Sequence, residues 1–210
     1  DKPAGLVVHP GAGNASGTVL NALLHHAPKL AELPRAGIVH RLDKDTSGLM
    51  VVAKTVAAQL DLIRQLQART VKRHYRAITC GNVAGDITID KAIGRDPKTR
   101  VKMAVVAFGG KPAITHVRPL EMFEHHTLVE CRLETGRTHQ IRVHLASQGH
   151  AIVGDDKYGD FDLNKRLHKL GMRRMFLHAW RLQFTHPATG ERVLLNAELP
   201  PELADFVPTA

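Results

Sequence analysis

The residues best suited to chemistry lie in one short stretch, His40-Arg41-Leu42-Asp43, between two apolar runs. Turn formers follow it at Thr46, Ser47 and Gly48. Turn formers between apolar runs predict a loop held by strands, which is where catalytic side chains concentrate. A carboxylate on such a loop can act as a nucleophile or as a general base. We therefore take Asp43 as the candidate reactive group.

Other chemistries have weaker support in the sequence. No His-Glu-x-x-His motif occurs, and His139 and His144 are five residues apart, which places them on different sides of a helix. Asp43 and Asp45 have a spacing that can hold Mg²⁺, but the cationic residues beside them disfavour a metal. We predict that the chain needs neither a metal nor a cofactor, and a metal-dependent enzyme acting on nucleic acid stays as an alternative. Asp155 and Asp156 are interpreted as part of a turn.

The charge balance favours a polyanionic partner. The 210 residues carry a net charge of +9, with a pI near 9.9, and charge of this size attracts phosphate-rich ligands. A solvated surface is the other reading of the basic residues, but three clusters favour a phosphate backbone: Arg69, Lys72, Arg73 and Arg76; Arg95, Lys98, Arg100 and Lys102; and Lys165, Arg166, Lys169, Arg173 and Arg174. The sequence has no long apolar run or lipidation motif, so no membrane partner is expected, and nothing in it predicts an obligate protein partner. Two isolated cysteines indicate a reducing, cytoplasmic location.

Hydrophobic periodicity predicts more strands than helices. Helical spacing after Thr18, after Thr55 and after Thr138 predicts three capped helices, and a short basic helix is expected around 163–170. Strands are predicted at 49–53, 71–80, 87–90, 101–106, 113–123 and 127–133, with a hairpin at 176–195. This pattern predicts an α+β fold, with a large, mainly antiparallel mixed sheet, flanking helices and loops, and a catalytic cleft across the sheet.

Four blocks resemble one known family. The stretch His40-Arg41-Leu42-Asp43-Lys44-Asp45-Thr46-Ser47-Gly48 resembles the H-R-L-D-x-x-T-S-G signature of the RluA-type RNA pseudouridine synthases. The segment 134–144, E-T-G-R-T-H-Q-I-R-V-H, is similar to the second signature of that family, 72–77 to its tyrosine strand, and 177–187 to its C-terminal block. Within the family the chain is most similar to the RluC and RluD groups, which act on large-subunit ribosomal RNA.

The resemblance implies an isomerase that breaks the bond between N1 of uracil and the ribose, turns the base and joins carbon 5 instead. It assigns the essential aspartate to Asp43, as nucleophile or as base, and both roles stay open. Arg142 would pair with Asp43 and keep it ionised and oriented. Tyr75 would stack on the flipped uracil, and Leu177 would form an apolar wall for it.

Several further residues are expected to bind the RNA: His40, Arg137, Lys72, Arg73 and Arg41. Arg41 lies two residues before Asp43, and we hypothesise that it enters the gap left by the extruded uridine; binding of a phosphate is the alternative. We expect residues 1–210 to form one catalytic domain, with an N-terminal RNA-binding module missing before Asp1. The predicted substrate is 23S ribosomal RNA or a pre-ribosomal particle, and the alternative is a non-catalytic RNA-binding or ribosome-assembly protein.

Overall fold

The computed structural model describes residues 1–207 and shows the predicted α+β class, with a large sheet and few helices. The helices are α1 (Val19–His26), α2 (Val56–Gln67), α3 (Gln140–Ser147), α4 (Phe161–Lys169) and α5 (Pro201–Ala204), with 3₁₀ turns at Pro28–Glu32 and Pro34–Gly37. The strands are β1 (Ser47–Gly48), β2 (Lys72–Cys80), β3 (Ile87–Asp90), β4 (Ile93–Arg95), β5 (Met103–Val105), β6 (Ile114–Met122), β7 (His126–Leu133), β8 (Leu177–Thr185) and β9 (Arg192–Asn196). None of the helices in residues 1–207 has the length and apolar character needed to cross a membrane.

The chain forms two compact units. Unit 1 consists of Asp1–Lys72 and Arg181–Ala197, and unit 2 consists of Arg73–Trp180 and the described residues after Ala197. The candidate residues His40, Arg41 and Asp43 therefore belong to unit 1. Tyr75, Arg142 and Leu177 belong to unit 2.

Helix α2 supplies much of the core of unit 1. Its predicted cap is confirmed, because the side chain of Thr55 accepts a hydrogen bond from the backbone amide of Ala58. The apolar stripe of α2 buries Leu62 against Leu182 and Phe184, at the end of β8 that pairs with β9. Burial of a side chain such as Leu62 is worth about 1.5 to 3 kcal/mol.

The predicted strand at 49–53 is wrong. This run makes one isolated bridge, between Ile38 and Val52, and the two-residue strand β1 lies just before it. Its side chains nevertheless point into the core, where Ala53 is buried with Leu49 and Val51 packed beside it. An apolar run can thus be buried by side-chain packing without pairing to a neighbouring strand. Periodicity alone does not distinguish such a segment from a buried strand.

Unit 2 is organised by antiparallel strands in the order β2, β7, β6, β3. The predicted strand at 71–80 is confirmed as β2. Tyr75 is buried opposite Cys131 of β7, and burial raises the pKa of the Cys131 thiol well above its ordinary value. One layer of the core lies around Ile78, with Phe176 fully buried in it.

Helix α3 differs at its start from the prediction. We expected Thr138 to cap it, but the cap residue is His139, which adopts a left-handed conformation (φ 55°) and makes no side-chain cap. The backbone amide of Gln140 instead donates to the carbonyl of Arg137, at 3.1 Å. A tight turn therefore leads into the helix that carries Arg142.

Candidate active site

In unit 1, residues 40–46 form a loop, the charged loop, that presents a half-buried Asp43 and an exposed Arg41. Leu42 between them is buried and anchors the loop in the core. The carbonyl of Asp43 accepts a hydrogen bond from the amide of Thr46 at 3.2 Å, which closes the predicted turn. His40 fixes the loop from the other side, because its Nε2 accepts a hydrogen bond from the amide of Val51 at 3.0 Å.

A buried lysine supports the same loop. Lys2 is only 5% exposed, and its ammonium group donates to the carbonyls of Pro3 and Leu6 at 2.8 Å and of Lys44 at 3.0 Å. Its backbone also pairs in both directions with that of Gly48, at 2.8 and 2.9 Å. Because Lys44 and Gly48 bracket the turn, Lys2 holds both ends of the segment that begins at Asp43. Sequence reasoning missed this role.

In unit 2, Tyr75 and Leu177 are buried apolar surfaces on neighbouring segments of the fold. Tyr75 is 5% exposed on β2, and Leu177 is 3% exposed at the start of β8. Burial of the tyrosine in the sheet fixes its ring direction. The roles of these residues toward a flipped base stay predictions.

Arg142 makes the best-defined ion pair in unit 2. Its Nε donates to Oδ2 of Asp155 at 2.8 Å and its Nη2 to Oδ1 at 2.9 Å, so the two groups meet fork to fork. The Arg142 side chain is 9% exposed, and the Asp155 side chain is fully buried. Asp156, which is 87% exposed, is 3.8 Å from Nη2. The expected pairing of Arg142 with Asp43 stays a prediction.

The electrostatics of Asp155 match this geometry. Burial alone would raise the pKa of its carboxyl group, but the hydrogen bonds and charge of Arg142 act in the opposite direction. The amides of Tyr158 and Lys157 also donate to Oδ1, at 3.0 and 2.8 Å. Together these groups hold the pKa of Asp155 below its ordinary value, so it is a carboxylate at neutral pH.

Tyr158 also packs against the guanidinium group of Arg142. Its ring centre is 5.0 Å from Cζ of Arg142, within the range of a cation–π contact. Its hydroxyl accepts a hydrogen bond from the amide of Met103 at 3.0 Å and shares another with Nδ1 of His139 at 2.7 Å. Arg142 is therefore held by a carboxylate and by an aromatic face, both from the loop 154–159.

The other predicted RNA-binding residues have mixed environments. Arg137 donates from Nε to the carbonyl of Pro112 at 2.9 Å, and Lys72 donates to the carbonyl of Arg69 at 3.0 Å. Arg73 lies against Gly136, where an added Cβ would be 2.7 Å from Nη1. The glycine of the second signature thus makes room for an arginine of β2.

The basic clusters are only partly available to a ligand. Arg174 is committed to the fold, because Nη1 pairs with Glu202 at 3.1 Å and Nη2 donates to the carbonyl of Leu177 at 3.1 Å. Lys102 donates to the carbonyl of Lys157 at 2.8 Å. By contrast, the cluster members Lys98, Arg100, Lys165 and Lys169 are exposed. Within residues 1–207, no group of three or more His, Cys, Asp or Glu side chains is arranged to hold a metal ion.

Comparison with known proteins identifies the family. A model of the family described as RNA pseudouridylate synthase matches residues 1–147, which include the charged loop, β2 and Arg142. The chain belongs to this family. The resemblance predicted from the four sequence blocks is thereby confirmed.

The chain is similar to several named members of this family. It is 57% identical over 209 residues to the ribosomal large subunit pseudouridine synthase D of Neisseria meningitidis serogroup A, covering 97% of this chain and 56% of that protein. It is 58% identical over 206 residues to the protein of the same name from Nitrosomonas europaea, covering 97% of this chain and 60% of that one. The chain therefore spans somewhat over half the length of these relatives.

Solved structures agree with the fold. Human RNA pseudouridylate synthase domain containing 4 superposes with a TM-score of 0.74 at 29% identity, covering 97% of this chain and 85% of that one. Human RNA pseudouridylate synthase domain containing 1 gives a TM-score of 0.71 at 30% identity, with coverage of 89% and 76%. The α+β architecture is thus the one found in these synthase structures.

Proposed function

We propose that this protein isomerises uridine to pseudouridine in RNA and that its substrate is the ribosomal RNA of the large subunit, free or in a pre-ribosomal particle. The observation that carries the proposal is the family match over residues 1–147, which contain the Asp43 loop. The names of the relatives, which specify the ribosomal large subunit, support the class of RNA. A net charge of +9 suits a phosphate-rich substrate in the cytoplasm.

Asp43 is the proposed catalytic residue. It attacks the sugar carbon as a nucleophile or removes the 2′ proton as a base, and either route breaks the bond between N1 of uracil and the ribose. Carbon 5 of the turned base then bonds to the ribose and loses its proton, while Asp43 leaves the sugar carbon or returns the 2′ proton. Arg142 orients this carboxylate, while its Nε and Nη2 are bonded to Asp155. Tyr75 stacks on the extruded base, which is worth about 1 to 3 kcal/mol.

The remaining contacts are proposed to bind and shape the RNA. Leu177 forms an apolar wall for the base, and Arg41 enters the space left by the extruded uridine. Arg137, Lys72 and Arg73 bind the backbone, and His40 keeps the loop in place by its hydrogen bond to Val51. No cofactor has a role in this scheme.

The test is to incubate the protein with unmodified large-subunit ribosomal RNA and to map pseudouridines by chemical sequencing. We expect discrete modified sites with the wild-type protein and none with Asp43→Asn, which removes the carboxylate charge at almost unchanged size. Asp45→Asn is the matched control, because it changes a second half-buried carboxylate of the same loop. It should retain activity.

The same experiment separates the alternatives. A metal-dependent enzyme that uses Asp43 and Asp45 together would lose activity in Asp45→Asn and in EDTA. A non-catalytic assembly factor would form no pseudouridine, and its Asp43→Asn variant would still bind RNA or support ribosome assembly. Either result would contradict the proposed isomerase.

A further inference from the structure

Asp155 is a buried charged residue that has no step of its own in the proposed reaction. Its side chain is fully buried, and both of its oxygens are directed at the guanidinium group of Arg142. Removing an unpaired charge from water is costly, so a buried pair of this kind persists only where its geometry is well satisfied. The pair fixes both the position of the guanidinium group and the rotation of its plane.

The loop that carries Asp155 is itself rigidly built. An added Cβ on Gly154 would be 2.4 Å from the carbonyl oxygen of Arg174, and one on Gly159 would be 2.3 Å from the carbonyl oxygen of Asp155. Asn164 of α4 bridges the loop, since it accepts from the amide of Gly154 at 2.9 Å and donates to the carbonyl of Asp155 at 2.7 Å. The carboxylate is therefore presented from a fixed backbone.

We propose that Asp155 is a positioning residue of the isomerase, which fixes the orientation of the Arg142 guanidinium group that the reaction uses. The inference rests on the proposed function, because it acts through the role of Arg142 beside Asp43. Without this pair, a change at one carbon of the long Arg142 side chain would move the guanidinium group by about 1 Å. A misplacement of about 1 Å costs about 100-fold in rate. Asp155 does not touch the substrate in this scheme.

Tyr158 adds a second contact to the same guanidinium group. Its ring packs on the guanidinium group of Arg142, and its hydroxyl is tied to Met103 and His139. The carboxylate thus fixes two nitrogens in the plane, while the ring limits movement out of the plane. Lysine in place of Arg142 would not satisfy either contact in the same way.

The experiment compares Asp155→Asn with Asp156→Asn in steady-state assays on the same unmodified RNA. Both variants remove one carboxylate near Arg142, but the Asp156 side chain is 87% exposed and 3.8 Å away. We expect Asp155→Asn to lower kcat by about 10- to 100-fold with little change in KM, and Asp156→Asn to stay within about twofold of wild type. Equal kcat values for the two variants would overturn the proposal.

A double-mutant comparison separates positioning from a purely structural role. If Asp155 acts through Arg142, the variant Arg142→Met with Asp155→Asn should be about as slow as Arg142→Met alone. Multiplicative losses in kcat would show independent effects and would contradict the proposal. If Asp155→Asn does not fold, Asp155→Glu tests the geometry, because it keeps the charge but moves the carboxylate by the length of one methylene group. A wild-type kcat in Asp155→Glu would also overturn the proposal.

The proposed function is tested first in the same series. If the wild-type protein forms no pseudouridine, the isomerase assignment fails and the role of Asp155 fails with it. If the wild-type protein is active and Asp43→Asn is not, only the comparison of Asp155 with Asp156 decides the positioning role.

Discussion

Replacement of Gly37 by alanine should disrupt the entry to the charged loop. Gly37 has φ +79°, and an added Cβ would be 2.0 Å from the carbonyl oxygen of Ala53, whereas real Cβ contacts stay beyond 3.0 Å. The two backbones must therefore separate by about 1 Å in a close-packed region. This movement breaks the hydrogen bond from the amide of Ala53 to the carbonyl of Gly37, now 2.9 Å long.

Gly13 offers a matched control for this change. It has the same φ, +79°, but nothing lies within 4 Å of an added Cβ. Gly13→Ala should therefore report the conformational cost alone, about 1 to 2 kcal/mol. Gly37→Ala adds the lost hydrogen bond, about 1 to 3 kcal/mol with a buried donor, and repacking strain of about 1 to 3 kcal/mol.

The measurement is the free energy of unfolding in urea, followed by circular dichroism at fixed pH and salt. We expect Gly37→Ala to be less stable than Gly13→Ala by at least about 2 kcal/mol. Turnover in native buffer should also fall for Gly37→Ala, because the segment that leads to Asp43 starts at Gly37. If the two variants unfold at the same urea concentration, the steric reasoning is wrong.

Two other predictions follow from the geometry. Arg41→Ala should slow turnover more on folded RNA than on an unpaired substrate, because only the folded RNA leaves a gap when the uridine is extruded; equal losses in a parallel single-turnover assay would contradict this. Burial lowers the pKa of His144, so the unfolded chain binds a proton that the folded chain does not. Stability should therefore be full above about pH 6.5 and decline below it. His144→Gln should have a shallower decline in a pH series of urea unfolding, and an unchanged slope would exclude His144 as its source.

Local patterns predicted the elements that present the site. The stripe after Thr55 predicted α2, and the pattern of residues 71–80 predicted the strand that carries Tyr75, because both follow from short-range periodicity. The left-handed conformations of Arg35 and Ala36, with φ of 52° and 51°, have no local signal because neither residue type favours them. Ala36 is buried in a cluster with Leu30 and Leu33, a packing arrangement that sequence patterns do not describe.

The partner of Arg142 was missed for a related reason. Asp155 was interpreted as a turn residue, and it does accept hydrogen bonds from the amides of Lys157 and Tyr158 as turn residues do. Its second role depends on a helix thirteen residues earlier, so no local spacing reveals it. The one usable signal was the pair of glycines, Gly154 and Gly159, because closely spaced glycines mark a backbone packed too tightly for a Cβ.

Helix α3 shows why the orientation of Arg142 is fixed by a network and not by helix propensity. Six of its eight residues are buried: Gln140, Ile141, Arg142, Val143, His144 and Leu145. Each buried polar side chain must then find partners, because an unsatisfied one costs about 1 to 3 kcal/mol. Gln140 donates to Thr115 at 2.9 Å, and His144 hydrogen-bonds to the same hydroxyl at 2.8 Å, so both tie the helix to β6.

These tethers lie on both sides of Arg142 along the helix. The backbone beneath its side chain cannot rotate without breaking hydrogen bonds at Gln140 or at His144, and the side chain cannot turn without leaving Asp155. The helix thus fixes where the arginine starts, and the loop fixes where it ends. The Arg142 side chain is therefore fixed both at its backbone and at its guanidinium group. A charged group that is already in place needs no reorganisation when charge develops beside it, which is the condition for electrostatic stabilisation of a transition state.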